Sequence, residues 1–589
     1  METVHAAAII EDPLSSAATR RLTRLLDFLG IAWETLPHNS NLLARRPGGM
    51  ASAYESILAP LTAAADLWHA YGSLPARSFF FYATEDVRMS SDALGDLTGC
   101  KEDALLVLEE KSIDAAVSED WPALTGPMHG LRSTVKGRPC DRIAVTKRSG
   151  AISNIISTEL GSLFLHCENG DSRAFISCSS EIPDLDQPLN GKGYDVREQF
   201  LSSVPLLMYL KWAFRDVCWQ ANESGACLIV DDPVLRRKYG FCDFHLLDAQ
   251  MQQHTFTTSI AMIPWNRRRT SAEMASLIKD SEGRLSVSVH GCDHTAGEFG
   301  IDQADELNAK VDLADRRMEQ HRQTTGIIHD AIMVFPQGIF SRASLRTLQQ
   351  HGFAAAVNTE ALPLRSQEEI LTIRDTWALA ITRYGSFPLF TRRYPADGLE
   401  NFAFDLLLGK PCLIVEHHVF FKGEHQAVVR FANALNALNT ELHWRSLGDV
   451  IRRSYQWRLA LDGIVHVRMF ANELLLKNGH GAERQYRVEK ATAGSVGVKE
   501  VTANGHFLEW QTDGNFIVFS CKVPSGAEVL IRVRYTPPET TNGRRKDALS
   551  GFVRIAARRY LSEFRDNFLS RHDSLIGLAQ KAKRIVSRD

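Results

Sequence analysis

The 589-residue sequence has no apolar run long enough to cross a bilayer. Its uninterrupted stretches, such as Ala226-Cys-Leu-Ile-Val230 and Leu206-Leu-Met-Tyr-Leu210, stop far short of the roughly 18 residues a spanning helix needs. Charge of one sign is also lacking. With 67 Lys+Arg against 70 Asp+Glu the net charge is −3, so nothing in the overall balance points to nucleic acid as a partner. The ten cysteines are scattered and form no Cys-x-x-Cys pair. In a long chain this reads as free, mostly buried thiols rather than a disulfide framework. The start, Met1 to Asp12, lacks the basic residues and longer apolar core of a secretory signal, and the expected location is the cytoplasm. No internal repeat is visible, which argues against solenoids and arrays.

What remains is an ordinary globular composition, 44% hydrophobic and 23% charged, enough for about three or four domains. Residues 1–195 alternate β-rich runs (Ser78-Phe-Phe-Phe-Tyr82, Leu163-Phe-Leu-His166) with helical stretches such as Ala51–Trp68. That alternation predicts an α/β domain with a largely parallel sheet. Residues 196–455 repeat the strand–helix alternation, with strands expected at 226–230, 257–262, 285–289, 331–335, 354–357 and 412–415. Residues 456–540 change to short alternating runs spaced by Gly, Asn and Asp, the pattern of a small antiparallel β-sandwich. Residues 541–589 are helical and basic, twelve Lys/Arg against five acids. Phe552, Ala556, Tyr560, Phe564 and Phe568 recur every four residues on one apolar face. Such a helix either packs on its own protein with its charges in solvent or makes a peripheral contact with an anionic membrane.

Three features fall at strand ends within the second segment. Asp231-Asp232-Pro233 follows an apolar strand, and a cation held by one carboxylate would offset the repulsion between the two. His290-Gly-Cys-Asp-His294 follows Leu285–Val289, and two imidazoles four apart reach one ion if the segment turns helically. Glu416-His417-His418 follows Cys412–Val415. In an α/β barrel the carboxyl ends of all strands face one side, so distant residues meet there. One carboxylate and two imidazoles form a three-ligand set with room left for water and substrate. These donors suit Zn²⁺ and equally Co²⁺, Ni²⁺ or Fe²⁺. Nearby, Trp265 either stacks on a sugar ring or packs under its loop, and Arg267-Arg-Arg269 is either a solvated loop, the favoured reading, or a grip on phosphate or an acidic sugar.

Residues 224–420 resemble a NodB-type polysaccharide deacetylase domain, a carbohydrate esterase with a (β/α)7 barrel. Ile229-Val-Asp-Asp-Pro233 is similar to that family's Thr-Phe-Asp-Asp-Gly motif, and His290-Gly-Cys-Asp-His294 to its His-Ser/Thr-x-x-His motif. The resemblance implies Asp231 as general base and Asp232, His290 and His294 as metal ligands. His417 or His418 would be the group that protonates the leaving amine. It implies a carbohydrate substrate that loses an N-acetyl group as acetate.

There are departures. Met333-Val-Phe-Pro-Gln-Gly338 resembles the family's Arg-Pro-Pro-Tyr segment, a substrate-binding stretch here represented by Pro336 and Gln337. Val334 stands where the Arg would steady the catalytic Asp, and Gln337 where the Tyr would be. Asp375-Thr-Trp377 is a poor match to the family's Asp/Trp motif. The missing Arg and Tyr keep open a glycoside hydrolase or other amide hydrolase on the same barrel, and a carbohydrate-binding scaffold with a degenerate site. Glu298, four after His294, reads either as a partner that orients an imidazole or, the favoured reading, as a helix-surface charge.

Overall fold

A computed structural model describes residues 6–570 apart from 13–14, 38–53, 72–77, 110, 148–151, 170–171, 190–192, 365–369, 439, 493–496, 539–548 and 569. One curved parallel sheet positions the site. Its seven main strands are β1 (Ser224–Asp231), β2 (Thr258–Met262), β3 (Leu285–His290), β4 (Asp330–Val334), β5 (Ala355–Asn358), β6 (Leu389–Thr391) and β7 (Cys412–Glu416), and a short eighth, Leu442–Trp444, pairs in parallel with the start of β1. The seven lie in the order β6-β5-β4-β3-β2-β1-β7, every neighbouring pair parallel. The runs Cys227–Val230 and Ile332–Val334 are fully buried, as strands covered on both faces must be.

Helices supply the crossovers that parallel strands require. Phe244–His254, Ala272–Asp280, Ala304–Thr325 and Arg342–Gln350 follow β1 to β4 in turn, and Leu399–Leu408 joins β6 to β7. Their starts are legible in side chains: Asp243, Ser271 and Ser341 each accept hydrogen bonds from the first turn of the helix they precede.

The outer strands meet through a single residue. The Arg393 N–H donates to Leu413 O (2.9 Å) and the Val415 N–H to Arg393 O (2.9 Å), a parallel bridge from just past β6 to β7. Strand β6 is absent from the sequence expectations, because three residues bounded by Pro388 and two arginines carry almost no periodic signal.

In the first segment an eleven-stranded sheet is parallel in one half only. Strands Ala7–Ile10, Trp33–Leu36, Ser56–Pro60, Ser78–Tyr82 and Ser172–Ser177 pair in parallel. Those between Ala104 and Asn169 pair antiparallel, and Gly161–Asn169 joins the two halves through an antiparallel pairing with Ser172–Ser177. The connections in this stretch are too short for parallel crossovers, which corrects the expectation of a largely parallel sheet. The helix expected over 51–68 is also corrected. Ser56–Pro60 is a buried strand, and the helix is Ala64–Tyr71; residues 51–53 lie outside the described residues. The run Ser-Ile-Leu-Ala-Pro ends in proline and is sealed on both faces, so tertiary burial overrides its helical pattern.

From Tyr455 onward, a four-stranded sheet and a six-stranded one, whose edge strand is Gln220–Ala221, share one apolar cluster that includes Val467, Leu474, Val488, Ile517 and Ile531. Their pairing is antiparallel except for Val465–Met469 against Arg484–Ala491. The last described helix, Leu549–Asn567, reverses the orientation expected if it packs on its own protein. Its charged side faces the protein, with Arg559 and Asp566 buried, while Tyr560, Phe564 and Phe568 are exposed. No side-chain environment is described for Phe552.

Candidate metal centre and catalytic cleft

Strand β1 runs directly into the site. Asp231 closes it, and Asp232 takes a left-handed backbone (φ 74°) that aims its carboxylate across the strand ends. Strand β3 ends at His290 on the same side, and His294, also left-handed (φ 57°), returns its ring to the same point. Non-glycine residues in this region are strained, and two of the three converging side chains sit on such backbone.

Asp232 Oδ1 lies 3.3 Å from His290 Nε2 and 3.0 Å from His294 Nε2. It is buried and makes no hydrogen bond. One donor atom from each of the three residues falls within 4.8 Å of the others, so one divalent cation fits among them. An orphaned buried oxygen facing two imidazole nitrogens is costly without such an ion. Burial pushes the Asp232 carboxyl up, but the two imidazoles outweigh it and hold the group well below the usual carboxylate range.

The surroundings fix these side chains. His290 Nδ1 is 2.9 Å from Val334 O, so that nitrogen carries the proton and Nε2 faces the ion position. Glu298 is buried, not a surface charge. It accepts hydrogen bonds from the N–H groups of Cys292 (3.0 Å), Asp293 (3.1 Å) and His294 (3.0 Å). The turn is tight: at Gly291 (φ 63°) an added Cβ would lie 2.2 Å from Glu298 Oε1 and 2.4 Å from Pro336 Cγ. Arg317 closes the other side by donating to Asp293 Oδ1 (2.6 Å).

Beside the ligands, Asp231 is clamped by an arginine from an unexpected place. Arg392 Nη1 and Nη2 donate to Asp231 Oδ1 and Oδ2, both at 2.7 Å, and the side chains are only 3% and 5% exposed. Burial raises the Asp231 carboxyl, but Arg392, with His290 and His417, brings it below its ordinary value. Val334 does stand where the resemblance places an arginine, yet the guanidinium comes from the end of β6 instead. A readable signal existed, Thr391-Arg-Arg-Tyr-Pro395 straight after a short apolar run.

The two histidines after β7 part company. Val230 pairs with Glu416, so the next position sets His417 beside Asp231. The His417 ring stacks on Tyr394 (centroids 6.4 Å, 15°). His418 turns away: its Nε2 lies 3.4 Å from Asp566 Oδ1 in the C-terminal helix, and its ring stacks on Phe241. Glu416 has its carboxyl pushed up to about 7, mainly by burial. A cavity of about 260 Å³ next to the clamp is lined by Tyr194, Glu360, Arg392, Tyr394, Asp397 and Lys410, among others.

The expected substrate contacts fare unevenly. Pro336 packs buried against the Gly291 turn, and Gln337 is exposed, its Oε1 accepting from the Gly297 N–H (3.4 Å). Arg267 instead donates to Gln320 (2.6 Å). Trp265 meets Tyr560 of the C-terminal helix edge-on (6.2 Å), with Arg269 over that tyrosine ring (4.8 Å). Asp375 caps a short helix, accepting from the Thr372 N–H (3.0 Å), and Trp377 is core, packed on Tyr194 and Phe404. Neither belongs to the cleft.

No family model and no curated protein matches the chain. Among solved structures it is similar to a carbohydrate esterase 4 domain of a multidomain xylanase from the hindgut metagenome of Trinervitermes trinervoides. That likeness is 9% identical, covers 39% of this chain and 90% of the other, and has a TM-score of 0.24. A peptidoglycan N-acetylglucosamine deacetylase is 14% identical over 39% of this chain and 90% of its own (TM-score 0.24). A family 4 pseudoenzyme from Bacillus anthracis is 10% identical over 38% of this chain and 64% of its own (TM-score 0.25). The chemistry open to this chain is set by the side chains at its own strand ends.

Proposed function

We propose that the protein is a metal-dependent hydrolase that removes N-acetyl groups from a carbohydrate, releasing acetate. One observation supports this reading above the others: the orphaned Asp232 Oδ1 facing His290 and His294, with the arginine-clamped Asp231 next to it in sequence. A cation held by Asp232, His290 and His294, Zn²⁺ or its Co²⁺, Ni²⁺ or Fe²⁺ equivalents, supplies Lewis acidity toward water and an amide oxygen.

The chain's own residues do the rest. Asp231 is kept ionised and fixed in orientation by Arg392, and each of its oxygens retains a lone pair to take a proton from an attacking water. His417, on the neighbouring strand and steadied by Tyr394, returns a proton to the departing amine. His418 is engaged by Asp566 and is left out of this step. Arg392 weakens the case for a different hydrolase, which rested in part on a missing arginine. The ten free cysteines suit a reducing compartment such as the cytoplasm.

Acetate release tests the reading. Metal-loaded protein incubated with N-acetylglucosamine oligomers or other N-acetylated glycans is expected to release acetate and leave free amines. Cleavage of glycosidic bonds instead, or metal retention with no turnover of any N-acetylated glycan, would overturn it.

A further inference from the structure

The C-terminal helix, Leu549–Asn567, lies over the ends of β1, β2 and β7 and is held there by polar groups. Glu563 pairs with Arg269. Asp566 accepts from the Tyr239 hydroxyl (2.7 Å), and Asn567 Oδ1 accepts from the Gly240 N–H (2.7 Å). Tyr239 and Gly240 follow β1, and Arg269 follows β2, so the helix spans two loops beside the metal centre. Asp566 has its carboxyl pushed down to about 2: burial raises it, and His418, Arg565 and Tyr239 outweigh that.

The opposite side is apolar and open. Val553, Leu561, Phe564 and Phe568 are 59%, 68%, 52% and 61% exposed, and the two phenylalanine rings stack at 5.4 Å. At 3.6 residues per turn these four and Tyr560 form one strip, with Arg554, Arg558 and Arg565 along one edge. A helix in water normally turns such a strip inward. Here the buried polar contacts fix the rotation, so the strip stays outside.

We propose that this strip docks on the surface of an anionic lipid bilayer. An apolar strip edged with arginines is the pattern of a helix lying in a membrane interface. The segment 541–589 carries twelve Lys/Arg against five acids, so its charge complements anionic headgroups. The same charge disfavours a second copy as the occupant, since two strips would bring two basic edges together. The docking does not depend on the chemistry of the metal centre.

The test is flotation of the full chain with phosphatidylcholine vesicles, with and without phosphatidylglycerol. The chain is expected to float with the anionic vesicles and to be released by added salt. A Leu561→Ser, Phe564→Ser, Phe568→Ser variant should lose at least about tenfold in partitioning while keeping its thermal unfolding, because these side chains are exposed. Three results would overturn the proposal: no flotation of the wild type, equal flotation with neutral vesicles, or unchanged flotation of the variant. So would a wild-type dimer that the variant abolishes in the absence of any vesicle binding.

Discussion

Replacing Arg392 with Met is expected to lower stability by about 3–5 kcal/mol and to abolish most activity. The arginine and Asp231 are both almost fully buried, and removing one partner leaves the other charge without compensation. The second loss stems from the first. Without two donors at 2.7 Å the Asp231 carboxylate is neither held ionised nor held in one orientation, and a base misplaced by an ångström costs about a hundredfold in rate. Arg392→Lys keeps the charge but cannot reproduce the paired hydrogen bonds, so an intermediate result is expected in both measurements. Urea unfolding and kcat for acetate release read the two effects separately. Wild-type stability and turnover in Arg392→Met would show that the clamp does nothing for the fold or the site.

The second large effect is expected from Glu298→Ala. Three consecutive backbone N–H groups, of Cys292, Asp293 and His294, end on this one carboxylate. Each N–H stranded in the interior costs about 1–3 kcal/mol, so the loss of stability is expected to be roughly 3 kcal/mol or more. His294 is one of the three proposed ligands and its own N–H is among those held by Glu298, so the turn that places its ring loosens at the same time. Metal affinity should fall by about 10–100-fold, the usual consequence of removing a group that orients a ligand. Glu298→Gln retains an accepting oxygen and should recover part of both losses. Equilibrium metal titration with a competing chelator checks the affinity. An unchanged affinity in Glu298→Ala would show that the turn is held by other means.

The convergence of Asp232, His290 and His294 was legible because these residues sit next to strands with strong apolar signals. Cys227–Val230, Leu285–Val289 and Cys412–Val415 are long enough to read, and each ends in unusual polar residues. Arg392 was missed for the opposite reason, the Thr391-Arg-Arg-Tyr-Pro395 run being its one local signal. Its strand has three residues, and the partner of the arginine shows when the curved sheet brings β6 round to β7 through Arg393. Glu298 has the spacing of a helix-surface residue, yet no helix forms there: the segment is a turn whose N–H groups need an acceptor. Local spacing could not reveal that need. The C-terminal helix illustrates a different limit. Its amphipathic pattern showed which side was apolar, but whether that side faces protein or solvent depends on partners such as Arg269 and Tyr239, some 300 residues away. Separation in sequence also explains why His417 and His418 could not be told apart, since Asp566, far along the chain, makes the distinction.

Metal content tests the central claim most directly. Elemental analysis of the purified full chain, after incubation with Zn²⁺ and removal of excess, is expected to find about one equivalent bound per chain. Asp232→Ala and His294→Ala, each still folded by circular dichroism, are expected to hold almost none. A wild type that binds no metal, or variants that bind as much as the wild type, would contradict the shared cation on which the hydrolytic reading stands.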